Sequence, residues 1–332
     1  MPQHEQHPTT AAPRRVLVTG SAGFIGSHLA HVLVQAGTTV VGVDRRDPAT
    51  DATAAANLSP LSGQPGYVHI TADLINCAIE PLLLDADAVF HIAGVPGVRP
   101  SWGPQFGDYL ASNVLTTHRV LEASTRIGVP RLVVASSSSV YGQTANGASV
   151  EADRPQPTSP YAVTKLAEEQ LCLAYATRPN SPSIVALRYF TVYGPRQRAD
   201  MFTHRALQAA MTGQPLRLYG DGRQRRDFTY IDDVVAATIA AATVPTAQGV
   251  INVGGGSNAS LLEVINIVTS LVGRDIQIQQ DRARSGDVLL TRADPSRAHE
   301  VLGWRPRVDL HNGLHAHMHA LAAQAPNYSR AA

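Results

Sequence analysis

The chain has 332 residues, 27 basic against 26 acidic, and 16% charged positions, which suits one large domain or two with enough apolar chain to bury a core. A net charge of +1 advertises no basic surface able to neutralise a phosphate backbone, which argues against a nucleic acid partner. The two cysteines, Cys77 and Cys172, lack metal-ligand spacing, residues 234–244 fall short of the ~20 of a membrane helix, and no charged-then-apolar leader opens the chain; the expectation is a cytoplasmic protein with no membrane partner and no metal.

Residues 1–13 are polar, rich in His, Gln, Thr and Pro, and read as a disordered lead-in. From residue 14 the chain runs VLVTG, then GFIGSHLAHVLVQAG, then TTVVGVD, an apolar run, a helical period and a second apolar run that spell a βαβ unit. Residues 50–65, rich in Ala, Ser, Gly and Pro, read as a surface connection. Further strands at 67–71, 88–92, 131–136 and 184–188, with helices near 105–127 and 159–176, predict an α/β fold over 14–187: a doubly wound parallel sheet of the Rossmann kind. Beyond Arg188, loops dense in Arg, Gly and Pro alternate with helices at 202–212, 231–242 and 261–272. They predict a smaller C-terminal substrate lobe over 188–325, with segments near 228–255 returning to the first domain.

Gly20, Gly23 and Gly26 of GSAGFIG stand directly between the first strand and the helix that Phe24 and Ile25 open. Glycines in that setting let a backbone approach a pyrophosphate at a helix N-terminus. Asp44 closes the second strand, 18 residues beyond Gly26, where a carboxylate accepts from ribose hydroxyls and repels a 2′-phosphate. NAD is therefore the expected cofactor, while Arg45 and Arg46 leave NADP open.

Of the 27 basic residues, 26 are arginine and one is Lys165. It follows Tyr161 by four positions in a helix opened by Thr158, Ser159 and Pro160, so both side chains leave one face. A neighbouring ammonium and a positively charged nicotinamide favour the phenolate over the phenol. A compact ammonium is wanted there, and a planar guanidinium does not replace it.

The GxxGxxG spacing and Tyr161-Ala-Val-Thr-Lys165 resemble the short-chain dehydrogenase/reductase superfamily. LVVASSSSVYG, LRYFTVYGPRQRADM, LYGDGRQRRDFTYIDDVV, RSGDV and LGWRP extend the likeness from Arg14 to about Leu321, toward the extended branch that acts on nucleotide sugars. This resemblance implies cofactor contacts at Asp73 and Leu74 of TADL, Ala93 of HIAG, Asn113 of SNV, Tyr161 and Lys165. It implies a catalytic set of Ser137, Tyr161 and Lys165, with Ser137 on the substrate oxygen. Ser138 adjoins the substrate, and Ser138 and Ser139 stand where dehydratases carry Asp and Glu. Arg226, and Arg284 with Asp287, match positions that hold the diphosphate and the nucleotide ribose, and Tyr219 lies beside the uracil.

Within that branch PGVRPSW, which contains Arg99, SSSSVYG and FTVYGPRQRADM are similar to the UDP-glucuronate 4-epimerases. The likeness puts Thr191 and Arg198 at the sugar carboxylate; the departures are Arg196-Gln197, where many relatives have Trp-Gly, and Pro96, where Ala is common. What it implies is a tightly held NAD regenerated at each turnover, inversion at C4 through a 4-keto sugar, and a homodimer built on helices 105–127 and 159–176. A UDP-glucose 4-epimerase, a related oxidoreductase or decarboxylase, or a binding protein without catalysis are the alternatives; intact Ser137, Tyr161 and Lys165 argue against the last. His315 and His319, one turn apart in the last helix, lack a third ligand and read as a solvated face rather than a metal site.

Overall fold

Runs of Val, Leu and Ile form strands covered on both faces, as a parallel sheet demands. A computed structural model of the chain describes residues 13–143, 147–255, 257–282, 286 and 288–324. The first half runs β1 (Arg15–Thr19), α1 (Phe24–Gln35), β2 (Thr39–Asp44), α2 (Ala52–Leu58), β3 (Tyr67–Thr71), β4 (Ala88–His91), α3 (Phe106–Tyr109), α4 (Thr116–Ile127), β5 (Arg131–Ser137), α5 (Pro160–Ala176) and β6 (Ser183–Tyr189). Then come β7 (Thr191–Tyr193), α6 (Phe202–Thr212), β8 (Leu216–Tyr219), β9 (Arg225–Tyr230), α7 (Ile231–Thr243), β10 (Gly249–Val253), β11 (Ser257–Ser260), α8 (Leu261–Val272), β12 (Ile278–Asp281), α9 (Ser296–Leu302) and α10 (Leu310–Gln324).

The main sheet has the order β10-β6-β5-β4-β1-β2-β3, and every pairing in it is parallel. Successive residues of β1 feed opposite layers: Val16 and Val18 pack with Leu29 and Leu33 of α1, while Leu17 packs with Val120 and Leu121 of α4. Chain order reverses at β1, which has β2 on one side and β4 on the other. Such a reversal opens a crevice beyond the carboxyl ends of the strands. A sheet of β11, β9 and β7 and a pair of β12 with β8 build the remainder, and β10, at the end of the 228–255 stretch, pairs with β6 in the main sheet.

Three expectations need correction. Residues 50–65 are more than a connection: Asp51 caps α2 by accepting from the Ala54 amide, and Asn57 donates to the Ala22 carbonyl at 2.9 Å, so the segment buries Ala54, Leu58 and Leu61. The helix expected over 105–127 is interrupted by a π-helical stretch, Leu110–Leu115, between α3 and α4. Of the lead-in, residues 1–12 lie outside the described residues, but Pro13 is tied to the fold by the Thr38 hydroxyl, which donates to its carbonyl at 2.9 Å. Among the described residues no helix is long and apolar enough to cross a membrane.

Candidate active site

The strand-turn-helix that opens the chain packs backbone on backbone. Gly20 has φ 69°, and a Cβ there would sit 2.9 Å from the backbone of Ala93 just past β4, while a Cβ on Gly26 would run into the Gly20 carbonyl oxygen. Only glycine permits this approach. Gly23 is the N-cap of α1 with no side-chain oxygen over the first turn, where Phe24 and Ile25 supply the first amides. This cradle fits a dinucleotide pyrophosphate.

Asp44, at the end of β2, accepts from the Ala22 amide at 3.1 Å and the Arg46 amide at 3.0 Å. Arg46 Nε also lies 3.5 Å from that carboxylate, and its guanidinium comes over Gly23. Arg45 points away, donating to Ser112 Oγ at 3.4 Å. Asp73 accepts from the Ile75 amide at 3.0 Å and so shapes its own turn; Leu74 beside it is buried, its carbonyl taken by Arg119.

A hydroxyl-imidazole relay then links the cofactor turn to α5. Thr19 Oγ1 accepts from the amides of Ile92 and Ala93 at 3.1 and 3.0 Å and lies 2.8 Å from His91 Nδ1. His91 Nε2 lies 3.0 Å from Thr117 Oγ1, which donates to the Asn113 carbonyl at 2.6 Å. With Thr117 committed as donor, His91 must carry its proton on Nε2 and accept from Thr19 on Nδ1. Burial, and then the charge of Lys165, push this imidazole down to about 3, so it stays neutral. Asn113 is fully buried in the π-helical stretch; it accepts from the Val95 amide at 2.7 Å and donates to Thr164 Oγ1 at 3.0 Å. The π geometry brings this amide against both the loop after β4 and α5, an example of the π-bulge's habit of marking functional sites.

Ser159 caps α5 by accepting from the Ala162 amide at 3.2 Å, and Pro160 fills its first position, where a missing N–H is harmless. Tyr161 and Lys165 follow one turn apart. The Tyr161 ring meets Tyr109 edge-on at 6.2 Å. Lys165 is buried; its Nζ lies 2.8 and 3.1 Å from the two oxygens of Glu168, and a Cβ built on Gly94 would be 3.6 Å from it. Burial draws the ammonium toward neutrality, but Glu168, followed by Tyr161, holds it charged above the ordinary lysine range.

Across from α5, Ser137 ends β5. Its Oγ accepts from the Ser139 hydroxyl at 2.8 Å and the Ser139 amide at 3.2 Å, so its own proton is left to donate to another oxygen. Ser136 is occupied elsewhere: it donates to Glu169 at 3.0 Å, and Arg188 donates to the same carboxylate at 2.9 and 2.5 Å. That buried triad ties β5, β6 and α5 together. Ser138, half-buried, opens the turn after β5.

On the expected substrate side, Thr191 is half-buried in β7. Arg198 donates from Nε and Nη2 to Asp200 at 2.9 and 2.6 Å; burial pushes the Tyr109 hydroxyl up, and the charge of Arg198 pulls against that rise. Arg196, at φ 62°, donates to Ser27 Oγ at 3.2 Å, and His28 lies 2.9 Å from the Pro195 carbonyl, so the loop bearing Arg198 is anchored to α1. Arg99 lies over the Tyr219 ring at 4.1 Å, and Arg226 of β9 donates to the Arg225 carbonyl at 2.8 Å. Arg284 and Asp287 lie outside the described residues. Sequence reasoning overlooked Glu168 and Asp200; their spacings, three and two residues from Lys165 and Arg198, were the available signal.

Residues 16–254 match the family model of the NAD dependent epimerase/dehydratase family. A protein of Bacillus subtilis (strain 168), named as the uncharacterized UDP-glucose epimerase YtcB, is 40% identical over 303 residues, 90% of this chain and 95% of its own. The crystal structure of UDP-glucuronic acid 4-epimerase from Bacillus cereus in complex with UDP-glucuronic acid and NAD aligns with a TM-score of 0.89 at 40% identity, over 93% of this chain and 99% of that one. MoeE5 in complex with UDP-glucuronic acid and NAD aligns with a TM-score of 0.86 at 45% identity over the same shares, and MoeE5 has also been solved with UDP-glucose and NAD. With its glycine cradle, its Tyr161 and Lys165 on one helix face and a family match over most of its length, this chain belongs to the NAD dependent epimerase/dehydratase family.

Proposed function

We propose that the chain inverts C4 of UDP-glucuronate, interconverting it with UDP-galacturonate through a transient 4-keto sugar. It is an NAD-dependent isomerase acting on nucleotide sugars. The observation that carries the uronate reading is Arg198, a guanidinium fork already closed around a carboxylate on a loop anchored to α1. The Bacillus cereus relative, solved with UDP-glucuronic acid, supports it.

Bound NAD supplies a reversible hydride acceptor at C4. Gly20, Gly23, Phe24, Ile25 and Gly26 would hold its pyrophosphate, Asp44, Asp73 and Leu74 its adenosine, and Ala93, Asn113, Tyr161 and Lys165 its nicotinamide end. Tyr161 takes the proton from O4 as that carbon is oxidised and returns it after the ketone has turned over. Lys165 holds positive charge beside the phenolate, and Ser137, relieved of its acceptor role toward solvent by Ser139, donates to the O4 oxygen. Thr191 and Arg198 grip the C6 carboxylate. A 4-keto uronate is a β-keto acid, and a carboxylate fixed by a bidentate arginine is kept from the alignment that releases CO2. Serines at 138 and 139 offer no acid for expelling a hydroxyl, so dehydration is not served.

Arg99, Ser138, Tyr219, Arg226, Arg284 and Asp287 would receive the remainder of the UDP-sugar. In this reading 14–187 is the NAD-binding domain, 188–325 mainly the sugar-nucleotide lobe, and the setting cytoplasmic. Exposed Leu110, Leu115, Val163 and Leu173 on the α3 to α5 face support a homodimer formed there. A second reading, UDP-glucose as substrate, is supported by MoeE5, solved with UDP-glucose and NAD as well as with UDP-glucuronic acid and NAD. Incubation with UDP-glucuronate, UDP-glucose and UDP-N-acetylglucosamine, without added cofactor and with products read by NMR, decides between them. UDP-galacturonate as the main product is expected; turnover of UDP-glucose alone would overturn the uronate assignment.

A further inference from the structure

α5 carries two adjacent buried carboxylates with different duties. Glu169 is spent on Arg188 and Ser136 and holds strands to helix. Glu168, 1% exposed, has no such structural partner: among the described residues its hydrogen bonds go to Lys165 Nζ alone, at 2.8 and 3.1 Å. A buried carboxylate is unfavourable unless paired, so its place beside the chain's one lysine needs a reason.

Among the described residues no second carboxylate hydrogen-bonds to Lys165. On α5 it faces Tyr161 and Cys172, whose thiol is pushed well up by burial. From β4 it faces His91, neutral between Thr19 and Thr117. Asn113, in the π-helical stretch, is uncharged, and Arg188 of β6 is consumed by Glu169.

We propose that Glu168 is the positioning residue of the catalytic pair: it takes two of the three ammonium N–H groups of Lys165, keeps that buried group charged and in place, and leaves the third N–H for the cofactor and Tyr161. The inference rests on the reading of Tyr161 and Lys165 as the catalytic pair for its consequence, but not for its test. Removing the carboxylate leaves a buried ammonium without its counter-ion, which then gives up its proton more readily. The alkaline limb of kcat should therefore move to lower pH in Glu168→Gln, with KM for the sugar little changed.

The solitary lysine makes the test direct. Expressed without any lysine-bearing tag and labelled with ¹³Cε-lysine, the holoenzyme gives one lysine signal by NMR, and its titration is that of Lys165. In the parent it should titrate above the ordinary lysine value of about 10.4. In Glu168→Gln the proton affinity should fall at least tenfold, and Glu168→Asp should recover part of it. A parent signal titrating at or below the ordinary value overturns the proposal even if Glu168→Gln fails to fold, as does an unshifted titration in a folded Glu168→Gln. The readout needs no turnover, so a lysine that shifts in a protein without epimerase activity would spare this inference and sink the functional reading instead.

Discussion

Arg198 closes Nε and Nη2 on both carboxylate oxygens of Asp200, two residues further along the same loop, at 2.9 and 2.6 Å. The fork is thus preformed for a carboxylate, and the pair is open enough to solvent, with side chains 36% and 62% exposed, that its own strength is modest. A C6 carboxylate can exchange with Asp200, whereas a hydroxymethyl group gains little by doing so. Once the bound sugar covers the fork, loss of its charged partner typically costs on the order of 2–5 kcal/mol. Arg198→Gln should lower kcat/KM for UDP-glucuronate by roughly 30-fold or more, with a much smaller loss on any UDP-glucose activity and some release of a UDP-pentose. Equal losses on both sugars would assign Arg198 to the diphosphate or the fold.

Tyr161→Phe keeps the ring that meets Tyr109 and removes only the hydroxyl. Turnover should fall by ~10²–10⁴, the scale of a positioned general base, with substrate affinity little changed. Lys165→Arg should fail comparably, because the side chain is buried with Nζ held by Glu168, and a planar guanidinium does not reproduce a compact ammonium there. A near-normal rate in Lys165→Arg, measured by coupled assay, would remove the lysine from the mechanism.

What could be read in advance was whatever local chemistry decides. Thr158, Ser159 and Pro160 announce α5, and the helix begins at Pro160 with Ser159 as cap; the apolar run of β4 announces a strand with no exposed face. α2 was not legible because its Ala-rich run differs little between buried and exposed faces, and it is held by Asn57 reaching Ala22, 35 residues away. Nor was the break in the 105–127 helix, since it turns on a tertiary contact: Asn113 accepts from the Val95 amide, 18 residues away. The same limit applies to charge: spacing alone could place Glu168 near Lys165 but not show that both are buried, and burial is what makes the contact matter.

The cofactor preference rests on Asp44 and on what it does to Arg46. A carboxylate at the end of β2 repels a 2′-phosphate, and it also holds Arg46 Nε at 3.5 Å. Denatured protein should release NAD rather than NADP. Asp44→Asn removes the repulsion and frees Arg46 at once, so the NAD over NADP affinity ratio should drop at least ~10-fold, the effect of a lost interaction worth about 1.4 kcal/mol. An unchanged ratio, measured by competitive binding, would mean that shape rather than charge selects the nucleotide.

Three buried histidines predict how the fold fails in acid. Burial is the first cause in each: His28 is lowered to about 4, with Arg196 adding to the effect, and His91 and His317 to about 3, with Lys165 and His204 adding respectively. Each is neutral in the folded chain and binds a proton near pH 6.5 once unfolded. The unfolded state therefore takes up more protons below that value. Stability is fully present above about pH 6.5 and is lost as pH falls toward the folded values, by ~2 kcal/mol per histidine at pH 5. His317 is the cleanest probe, because neither ring nitrogen has a hydrogen-bond partner among the described residues and its nearest ring is His204, at 5.7 Å. His317→Phe should flatten the pH dependence of the urea midpoint between pH 5 and 7, narrowing the gap between those two conditions by about a third of the three-histidine effect. A gap as wide as in the parent would mean that His317 is protonated inside the fold, or that a carboxylate outside this set governs the acid transition.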